Sequence, residues 1–317
     1  YKIYLVGGVV RNLLMKRPHT DWDMTTDATP EQVLTLFPEG FSNNQFGTVG
    51  VPTSSGAVQI TTMRQESDYQ DTRHPSKVSW TKNLQEDLSR RDFTVNAMAL
   101  DQDKVIDPFG GQLDLKQKTI RAVGDPDKRF SEDALRLIRA IRFASQLGFI
   151  IEDGTWQAII KNKDLLNKIS LERIRDELLK IVVAEFAEDG IRMLKSSGLL
   201  SLILPEIIPS FGVEQAGEKH DRTYDIGEHL ILTMKFTPSD DPIVKLAALL
   251  HDIGKPKTLK IKDNNTTFYH HENVGAAMVK GIAQRLRLSR KDADRLFILV
   301  RFHMFPVDER QTDSALR

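Results

Sequence analysis

The chain has 317 residues, 40% of them hydrophobic, and its 44 basic and 44 acidic side chains cancel to a formal net charge of zero. This length allows two or more domains, and the balanced charge argues against a general polyanion binder while leaving a local basic groove open. The absence of cysteine excludes disulfides and thiolate catalysis and fits the cytoplasm, and the absence of any apolar run of about 18 residues predicts no membrane span.

Short strands and helices are predicted to alternate up to about residue 120. Apolar or alternating runs predict strands at Lys2–Val6, Asp21–Thr25, Thr48–Val51, Ala57–Met63 and Val105–Ile106. One helix is expected to start near Val9, and a second over Pro30–Leu36 because Thr29 can cap it. Arg64–Glu66 lead into the polar, aromatic-dotted segment Tyr69–Pro75, which is expected to be a loop.

The pattern beyond Ser131 is helical almost throughout. Apolar residues recur at the helical period in two groups, namely Leu135, Ile138, Ile141 and Phe143, then Ile174, Leu178, Ile181 and Val182. Turn-forming residues over Pro205–Glu218 indicate a boundary before a second helical block that begins near Ile226. The chain begins at Tyr1 rather than Met and ends on a helix-like start, so we expect a piece of a longer protein.

Two glycines and two aspartates near the start suggest phosphate and metal chemistry. Gly7 and Gly8 follow the first strand and let the backbone approach a ligand closely, beside the N–H groups that open a helix. Asp21 and Asp23 share one face of the next strand, and two adjacent carboxylates favour a cation such as Mg²⁺ between them. Taken singly, each signal is weak, because a lone Gly-Gly is usually a turn and a lone Asp-x-Asp usually a solvated strand edge.

Further motifs follow these glycines and aspartates in a fixed order. They are Tyr69–Pro75, Arg90–Ala97, Ile106–Gly111, Glu132–Arg136 and Leu171–Leu178. The ordered set resembles the class II tRNA nucleotidyltransferases, which are the CCA-adding enzymes and their bacterial poly(A) polymerase relatives. The resemblance runs from Tyr1 to about Val183 and continues into a C-terminal HD domain.

The resemblance implies an α+β fold in three parts. A small mixed-sheet head, similar to polymerase β-type nucleotidyltransferases, would span residues 1–125. An all-helical neck for base selection and RNA binding would span 126–205. A helical body with the HD domain, truncated at its C-terminus, would span 206–317.

The resemblance also assigns roles in the head and neck. Asp21 and Asp23 would be catalytic and hold Mg²⁺. Nucleotide contacts would come from Gly7, Gly8, Arg11, Arg91, Asp92, Asn96, Asp133, Arg136, Arg139 and Arg142. Asp133 and Arg136 would read the incoming base, since positions three apart share a helix face and a carboxylate with a guanidinium can pair with C and A. The alternative is an ordinary surface ion pair.

The implied reaction is attack of the tRNA 3′-hydroxyl on the α-phosphate of CTP or ATP, releasing pyrophosphate. The segment Asn43–Val49 lacks the two arginines typical of poly(A) polymerases, which favours CCA addition, and the intact loop Asp71–Pro75 favours terminal A addition. An enzyme that adds only A, a poly(A) polymerase and an RNA-binding protein of weakened activity stay open. Asn12 and Gln59 depart from the family pattern, in which both positions are commonly acidic.

A second constellation follows in the C-terminal part. It consists of His229, His251, Asp252, His271, His303 and Asp313, and it resembles the HD superfamily. His229, His251, Asp252 and Asp313 would hold a divalent transition metal, and His271 with His303 a second one. His270 is an alternative to His271. The domain could be the main activity, as a phosphohydrolase, or a scaffold for tRNA; no protein partner is evident from the sequence.

Overall fold

The computed structural model describes residues 1–18, 22–42, 47–54, 56–69, 75–214, 225–262 and 265–305. The chain divides into two compact units, Tyr1–Ile169 and Ser170–Arg317. The first unit combines a mixed sheet with helices, and the described part of the second is helical apart from one small hairpin. The predicted α+β class is therefore confirmed, while the three-part division at residues 125 and 205 stays a prediction.

The elements have the following bounds. The strands are β1 (Ile3–Val6), β2 (Trp22–Thr26), β3 (Phe41–Ser42), β4 (Thr48–Thr53), β5 (Gly56–Thr62), β6 (Arg64–Tyr69), β7 (Pro75–Trp80), β8 (Ala99–Asp101), β9 (Lys104–Ile106), β10 (Thr119–Ile120), β11 (Ile150–Ile151), β12 (Lys260–Lys262) and β13 (Asn265–Thr267). The helices of the first unit are α1 (Gly8–Leu14), α2 (Pro30–Leu36), α3 (Leu84–Ser89), α4 (Gly111–Lys116), α5 (Pro126–Glu132), α6 (Leu135–Leu147) and α7 (Asp153–Asn162). Those of the second are α8 (Leu171–Val182), α9 (Ala187–Ser196), α10 (Leu199–Ile203), α11 (Ile226–Phe236), α12 (Pro242–Leu250), α13 (Lys255–Thr258), α14 (His271–Arg285) and α15 (Arg290–Arg301).

A mixed sheet forms the centre of the first unit. Its strand order is β3-β4-β5-β2-β1-β8-β9, with β2 parallel to β5 and the other neighbours antiparallel. Strand β1 therefore lies between β2 and β8, and the chain passes from its end directly into α1. Val9 and Val10 of α1 pack with Met98, so an apolar contact anchors this strand-to-helix turn.

The predicted strands and the helix over Pro30–Leu36 are confirmed within a residue or two. Thr29 caps α2 because its Oγ1 accepts from the backbone N–H of Gln32 at 3.4 Å. In turn, Oε1 of Gln32 accepts a hydrogen bond from the backbone N–H of Thr29 at 2.9 Å. This reciprocal capping box fixes the start of the helix that the sequence predicted.

Strands β6 and β7 were not anticipated. They pair antiparallel on either side of the segment Tyr69–Pro75, which is expected to be a loop. Residues 70–74 of that segment lie outside the described part, so the loop stays a prediction. The motif Glu132–Arg136 contains the start of α6 at Leu135, whereas Glu132 ends α5 and Asp133 has an extended backbone between the two helices.

The second unit buries the helical stripe that the sequence predicted. Ile174, Leu178, Ile181 and Val182 are at most 5% exposed, and full burial of such a side chain contributes about 2 kcal/mol to stability. The hairpin β12–β13 was not anticipated, since its residues alternate without an apolar face. Among the helices built from described residues, none has the length and apolar composition needed to cross a bilayer.

Candidate functional site

The end of strand β1 is shaped by a close contact between Gly7 and Arg91. Gly7 has a φ of +76°, a left-handed backbone that favours glycine. A Cβ added there would lie 2.8 Å from Nη1 of Arg91, so the guanidinium rests against bare backbone. The structure thus brings together two of the predicted nucleotide-binding residues, and Gly8 opens α1 beside them.

The Arg91 guanidinium is well placed for an anion. Burial lowers its pKa, while the nearby carboxylates of Asp87 and Asp23 oppose that change. Its Nη2 lies 3.8 Å from Oδ2 of Asp87, and its buried Nε has no hydrogen-bond partner among the described residues. A partly buried cation with a buried donor still to satisfy suits a phosphate ligand.

One of the two predicted catalytic aspartates, Asp23, lies near the start of strand β2. Asp23 is half-buried on that strand, and Asp21 lies outside the described residues. In the parallel pairing of β2 with β5, Asp23 is the register partner of Gln59. Side chains in register point to the same side of a sheet, so the amide of Gln59 stands beside the one described carboxylate of the predicted pair.

A hydrogen-bonded chain, called here the Asp92 network, links Arg11, Asn96, Asp92 and Arg139. Nη1 of Arg11 donates to Oδ1 of Asn96 at 2.5 Å, and Nδ2 of Asn96 donates to Oδ1 of Asp92 at 3.1 Å. Arg139 donates to Oδ2 of Asp92 from Nε at 3.0 Å and from Nη2 at 2.5 Å. Oδ1 of Asn12 accepts from Nε and Nη2 of Arg11 at 3.2 and 3.0 Å.

Burial acts on both signs of charge in the Asp92 network. It would raise the pKa of Asp92, but the charge and hydrogen bonds of Arg139 outweigh it and hold that pKa well below its usual range. Burial also lowers the pKa of Arg11 to about 10. Both groups are therefore charged at neutral pH, and Asp92 orients two cations through its partners.

The ring of Phe143 gathers the arginines of α1 and α6. The guanidinium carbons of Arg11, Arg139 and Arg142 lie 5.3, 5.2 and 3.9 Å from its centre. Cations this close to an aromatic face are attracted by its negative charge density. The structure therefore brings four predicted nucleotide-binding residues, the fourth being Asn96, into one basic cluster.

The predicted base-reading pair, Asp133 and Arg136, is arranged differently from the expectation. Nη1 of Arg136 donates to Oε2 of Glu132 at 3.0 Å, and Nη2 donates to the carbonyl of Arg90 at 2.9 Å. Oδ1 of Asp133 accepts from the N–H of Leu135 at 3.1 Å. Glu132, which is not among the predicted site residues, is the acid that pairs with Arg136. Because a helix break separates the two residues, helical spacing in the sequence does not indicate this pair.

A cluster of histidines surrounds Asp252 in the second unit. Oδ2 of Asp252 lies 3.3 Å from Nε2 of His229 and 3.1 Å from that of His251. Oδ1 lies 3.1 Å from Nε2 of His271 and 3.4 Å from that of His303. Asp252 is therefore shared by the two groups that the sequence assigned to separate ions, and Asp313 lies outside the described residues.

The orientation of the rings favours a cation. Nδ1 of His251, His271 and His303 each lies 2.8 to 2.9 Å from the carbonyl three residues earlier. A carbonyl can only accept, so Nδ1 carries the proton and a neutral ring presents a lone pair at Nε2. Ligand atoms that share an ion at about 2.1 Å lie roughly 3.0 to 3.5 Å apart, as these do.

Further features of the cluster agree with a metal site. Oδ1 of Asp252 is buried and makes no hydrogen bond within the described part of the chain, so it suits a metal ligand. Burial would raise the pKa of Asp252 and lower that of His303. Contacts between these groups outweigh burial, so the pKa of Asp252 lies below its usual range and the pKa of His303 above its usual value. Nζ of Lys255, 2.6 Å from Oδ2, is a further counter-charge.

The alternative ligand His270 is not part of the cluster. Its side chain is 82% exposed, and its backbone is left-handed at the start of α14. The backbone of His271 can approach the backbone of Gly254 closely because Gly254 has no side chain. A Cβ at Gly254 would lie 2.1 Å from the carbonyl oxygen of His271. The glycine of the His-Asp-Ile-Gly motif thus packs the two ligand segments together.

Comparisons with known proteins divide the chain into three matches. Residues 3–121 match the Poly A polymerase head domain, and residues 148–211 match the probable RNA and SrmB-binding site of polymerase A. Residues 208–316 match the HD domain. The first match contains both predicted aspartates, and the last contains every predicted HD ligand.

One solved structure decides the family. The Bacillus stearothermophilus CCA-adding enzyme in complex with CTP is 32% identical, with a TM-score of 0.76 over 99% of this chain and 69% of that one. The chain belongs to the CCA-adding enzyme family. Curated CCA-adding enzymes from Lactobacillus delbrueckii subsp. bulgaricus and Geobacillus thermodenitrificans are 48% identical over 201 residues and 44% identical over 220 residues.

The curated relatives are longer than this chain. The alignments cover 63% and 69% of this chain, and 51% and 53% of the two relatives. The chain thus spans about half the length of the curated relatives that it matches. Membership of the CCA-adding enzyme family fixes the kind of head that carries Gly7, Asp23 and Arg91.

Proposed function

We propose that this chain adds C and A nucleotides from CTP and ATP to the 3′ end of tRNA without a nucleic-acid template. The observation that carries the proposal is the contact of Arg91, a largely buried cation whose buried Nε has no partner among the described residues, with the backbone of Gly7, within the electrostatic influence of the Asp23 carboxylate. A triphosphate needs such a cation beside a metal-binding carboxylate. Similarity to CCA-adding enzymes supplies the substrate class.

In the proposed reaction, the 3′-hydroxyl oxygen of tRNA attacks the α-phosphorus, the bond to the β-phosphate breaks, and pyrophosphate leaves with the hydroxyl proton released. Asp23 offers the hard oxygen ligand that suits Mg²⁺. Together with Asp21 it would hold this ion, which activates the hydroxyl and stabilises the leaving pyrophosphate when bound. Arg91 would bind the triphosphate, and the Asp92 network would fix Arg11 and Arg139 for further phosphate contacts.

Base selection is assigned to Asp133 and Arg136. Hydrogen bonds from Arg136 to Glu132 and to the carbonyls of Arg129 and Arg90 hold its guanidinium in one orientation. A fixed guanidinium edge with a nearby carboxylate can recognise C and A and leave the donors and acceptors of G and U unpaired. This selection would operate without a template strand.

Extension of a labelled tRNA transcript lacking its 3′ end tests the proposal. With Mg²⁺, CTP alone should add two C residues, and CTP with ATP should add one further A. A long A ladder would instead identify a poly(A) polymerase, and addition only to tRNA already ending in CC would identify an A-adding enzyme. Combining Asp21→Ala with Asp23→Ala should abolish addition while circular dichroism stays unchanged.

A second candidate is a metal-dependent phosphohydrolase in the second unit. Four imidazole nitrogens around the shared Asp252 carboxylate favour it. A divalent transition metal held there would supply an activated water. Release of phosphate from nucleotide substrates with Mn²⁺, Co²⁺ or Ni²⁺, abolished by Asp252→Asn and kept in the Asp21 and Asp23 double variant, would separate it from nucleotide addition.

A further inference from the structure

A buried carboxylate, Asp87, lies next to the guanidinium of Arg91, the cation on which the proposed function rests. It belongs to helix α3, and its side chain is 0% exposed. Full burial of a carboxylate is costly unless its oxygens are satisfied by donors or positive charge. The partners of Asp87 therefore indicate what it does.

The two oxygens of Asp87 contact different segments. Oδ1 accepts from Nε and Nη2 of Arg90 at 3.0 and 2.8 Å, and from the backbone N–H of Arg64 at 3.3 Å. Oδ2 accepts from Oγ1 of Thr25 at 3.3 Å and lies 3.8 Å from Nη2 of Arg91. One carboxylate thus joins α3, the first residue of β6, strand β2 and the guanidinium of Arg91.

This arrangement ties Arg91 to the strand that carries Asp23. Thr25 lies two residues after Asp23 on β2, so both side chains point to the same side of the sheet. Among the charges near Arg91, the Asp87 carboxylate has the strongest stabilising effect on the ionised guanidinium. It opposes the lowering of the Arg91 pKa by burial. The separation of 3.8 Å is long for a hydrogen bond, so Asp87 attracts the guanidinium without using up its donors.

We propose that Asp87 is a positioning residue, which holds the Arg91 guanidinium over Gly7 and thereby prepares the triphosphate site. The inference rests on the proposed function of the head, and it gives Asp87 no contact with the substrate. A purely structural carboxylate would affect stability alone. A positioning carboxylate also affects nucleotide affinity, and it does so through Arg91.

Direct binding of CTP and ATP to the full chain with Mg²⁺, measured by calorimetry, tests the inference. Asp87→Asn should raise both Kd values roughly tenfold, the size expected for a misplaced charge-assisted contact, and leave the Kd for tRNA unchanged. Asp114→Asn is the matched control, because Asp114 is another buried acid paired with an arginine, Arg121 at 3.2 Å. It should lower the melting temperature and leave both nucleotide Kd values unchanged.

A double-mutant cycle with Arg91→Met decides whether Asp87 acts through Arg91. In that background Asp87→Asn should cause no further rise in the Kd for CTP. Two results would overturn the inference. One is a Kd for CTP in the double variant that is raised by the product of the two single-variant factors, and the other is an unchanged Kd for CTP in Asp87→Asn alone. If Asp87→Asn does not fold, Thr25→Val removes one donor to the same oxygen and should raise the Kd about twofold.

The outcomes separate this inference from the proposed function. If the wild-type protein binds CTP but never extends tRNA, the result counts against nucleotide addition. The effect of Asp87→Asn on the Kd for CTP can still be measured in that case. Arg91→Met with unchanged CTP binding would remove the role proposed for Arg91 and, with it, that of Asp87. The positioning role is supported if Asp87→Asn and Arg91→Met each weaken CTP binding and the double variant binds CTP no more weakly than Arg91→Met alone.

Discussion

Asp23 and Gln59 are register partners on the parallel strands β2 and β5. The carboxylate and the amide therefore lie side by side on one face of the sheet, at the position of the predicted magnesium site. An amide oxygen is a neutral ligand, and it attracts a divalent cation less strongly than a carboxylate does. This pairing gives the departure at Gln59 a specific consequence for metal affinity.

Gln59→Glu should lower the Mg²⁺ concentration needed for half-maximal nucleotide addition by roughly threefold to tenfold, because a second charged oxygen ligand joins Asp23. The measurement is a Mg²⁺ titration of tRNA extension. Gln85→Glu, an equally exposed glutamine on helix α3, is the control and should leave the titration unchanged. Equal Mg²⁺ requirements in all three proteins would place the ion elsewhere.

Gly7→Ala should reduce nucleotide addition at least tenfold and cost about 1 to 2 kcal/mol of unfolding free energy. The left-handed backbone strains alanine, and the new Cβ displaces Arg91. Chemical denaturation and the KM for CTP measure the two effects. Gly281→Ala, whose Cβ meets open space in helix α14, should be neutral or stabilising; an unchanged KM for CTP in Gly7→Ala would contradict the contact with Arg91.

Asp92→Asn should lower the unfolding free energy at pH 7 by about 3 kcal/mol, the usual cost of breaking a buried ion pair. The folded-state pKa of Asp92 is depressed, so its contribution is present above the ordinary carboxyl pKa of about 4 and is lost as the pH falls further. Denaturation curves of wild type and variant should therefore converge in acid. A difference that stays constant down to pH 2 would count against the pairing with Arg139.

His271→Ala should weaken binding of a divalent transition metal at least tenfold, since its Nε2 lies beside Oδ1 of Asp252. His270→Ala is the matched control, because the neighbouring imidazole is exposed and outside the cluster. Calorimetric titration with Mn²⁺ or Co²⁺ distinguishes the two variants. Loss of binding in His270→Ala with binding retained in His271→Ala would reverse the assignment.

Local patterns predicted strands β1, β2, β4, β5 and β9 of the first unit and the helical stripes of both units, but not strands β3 and β8. The strand before Gly7, the capping box at Thr29 and the apolar period of α8 all arise from neighbouring residues, so a single sequence contains the signal. Helix α5, which ends at Glu132, was not predicted, because the apolar period of the sequence begins only at Leu135, where α6 begins.

The candidate sites show the same division. The resemblance drew attention to Arg91, Asp92 and the histidines of the HD motif, whose roles stay predictions. It did not identify Asp87 or Glu132, because an acid near arginines is usually a solvated partner, and only the fold buries these two. Nor did spacing show that one carboxylate, Asp252, serves both groups of histidines.

Three imidazoles around Asp252 are each tied through Nδ1 to a carbonyl in their own stretch of chain. Their χ angles are therefore set by the backbone before any ion arrives, and little side-chain entropy remains to be lost on binding. We expect the rate of ion capture to be limited by the ion shedding its water. The series of association rates for different metals should then follow their water-exchange rates instead of their final affinities.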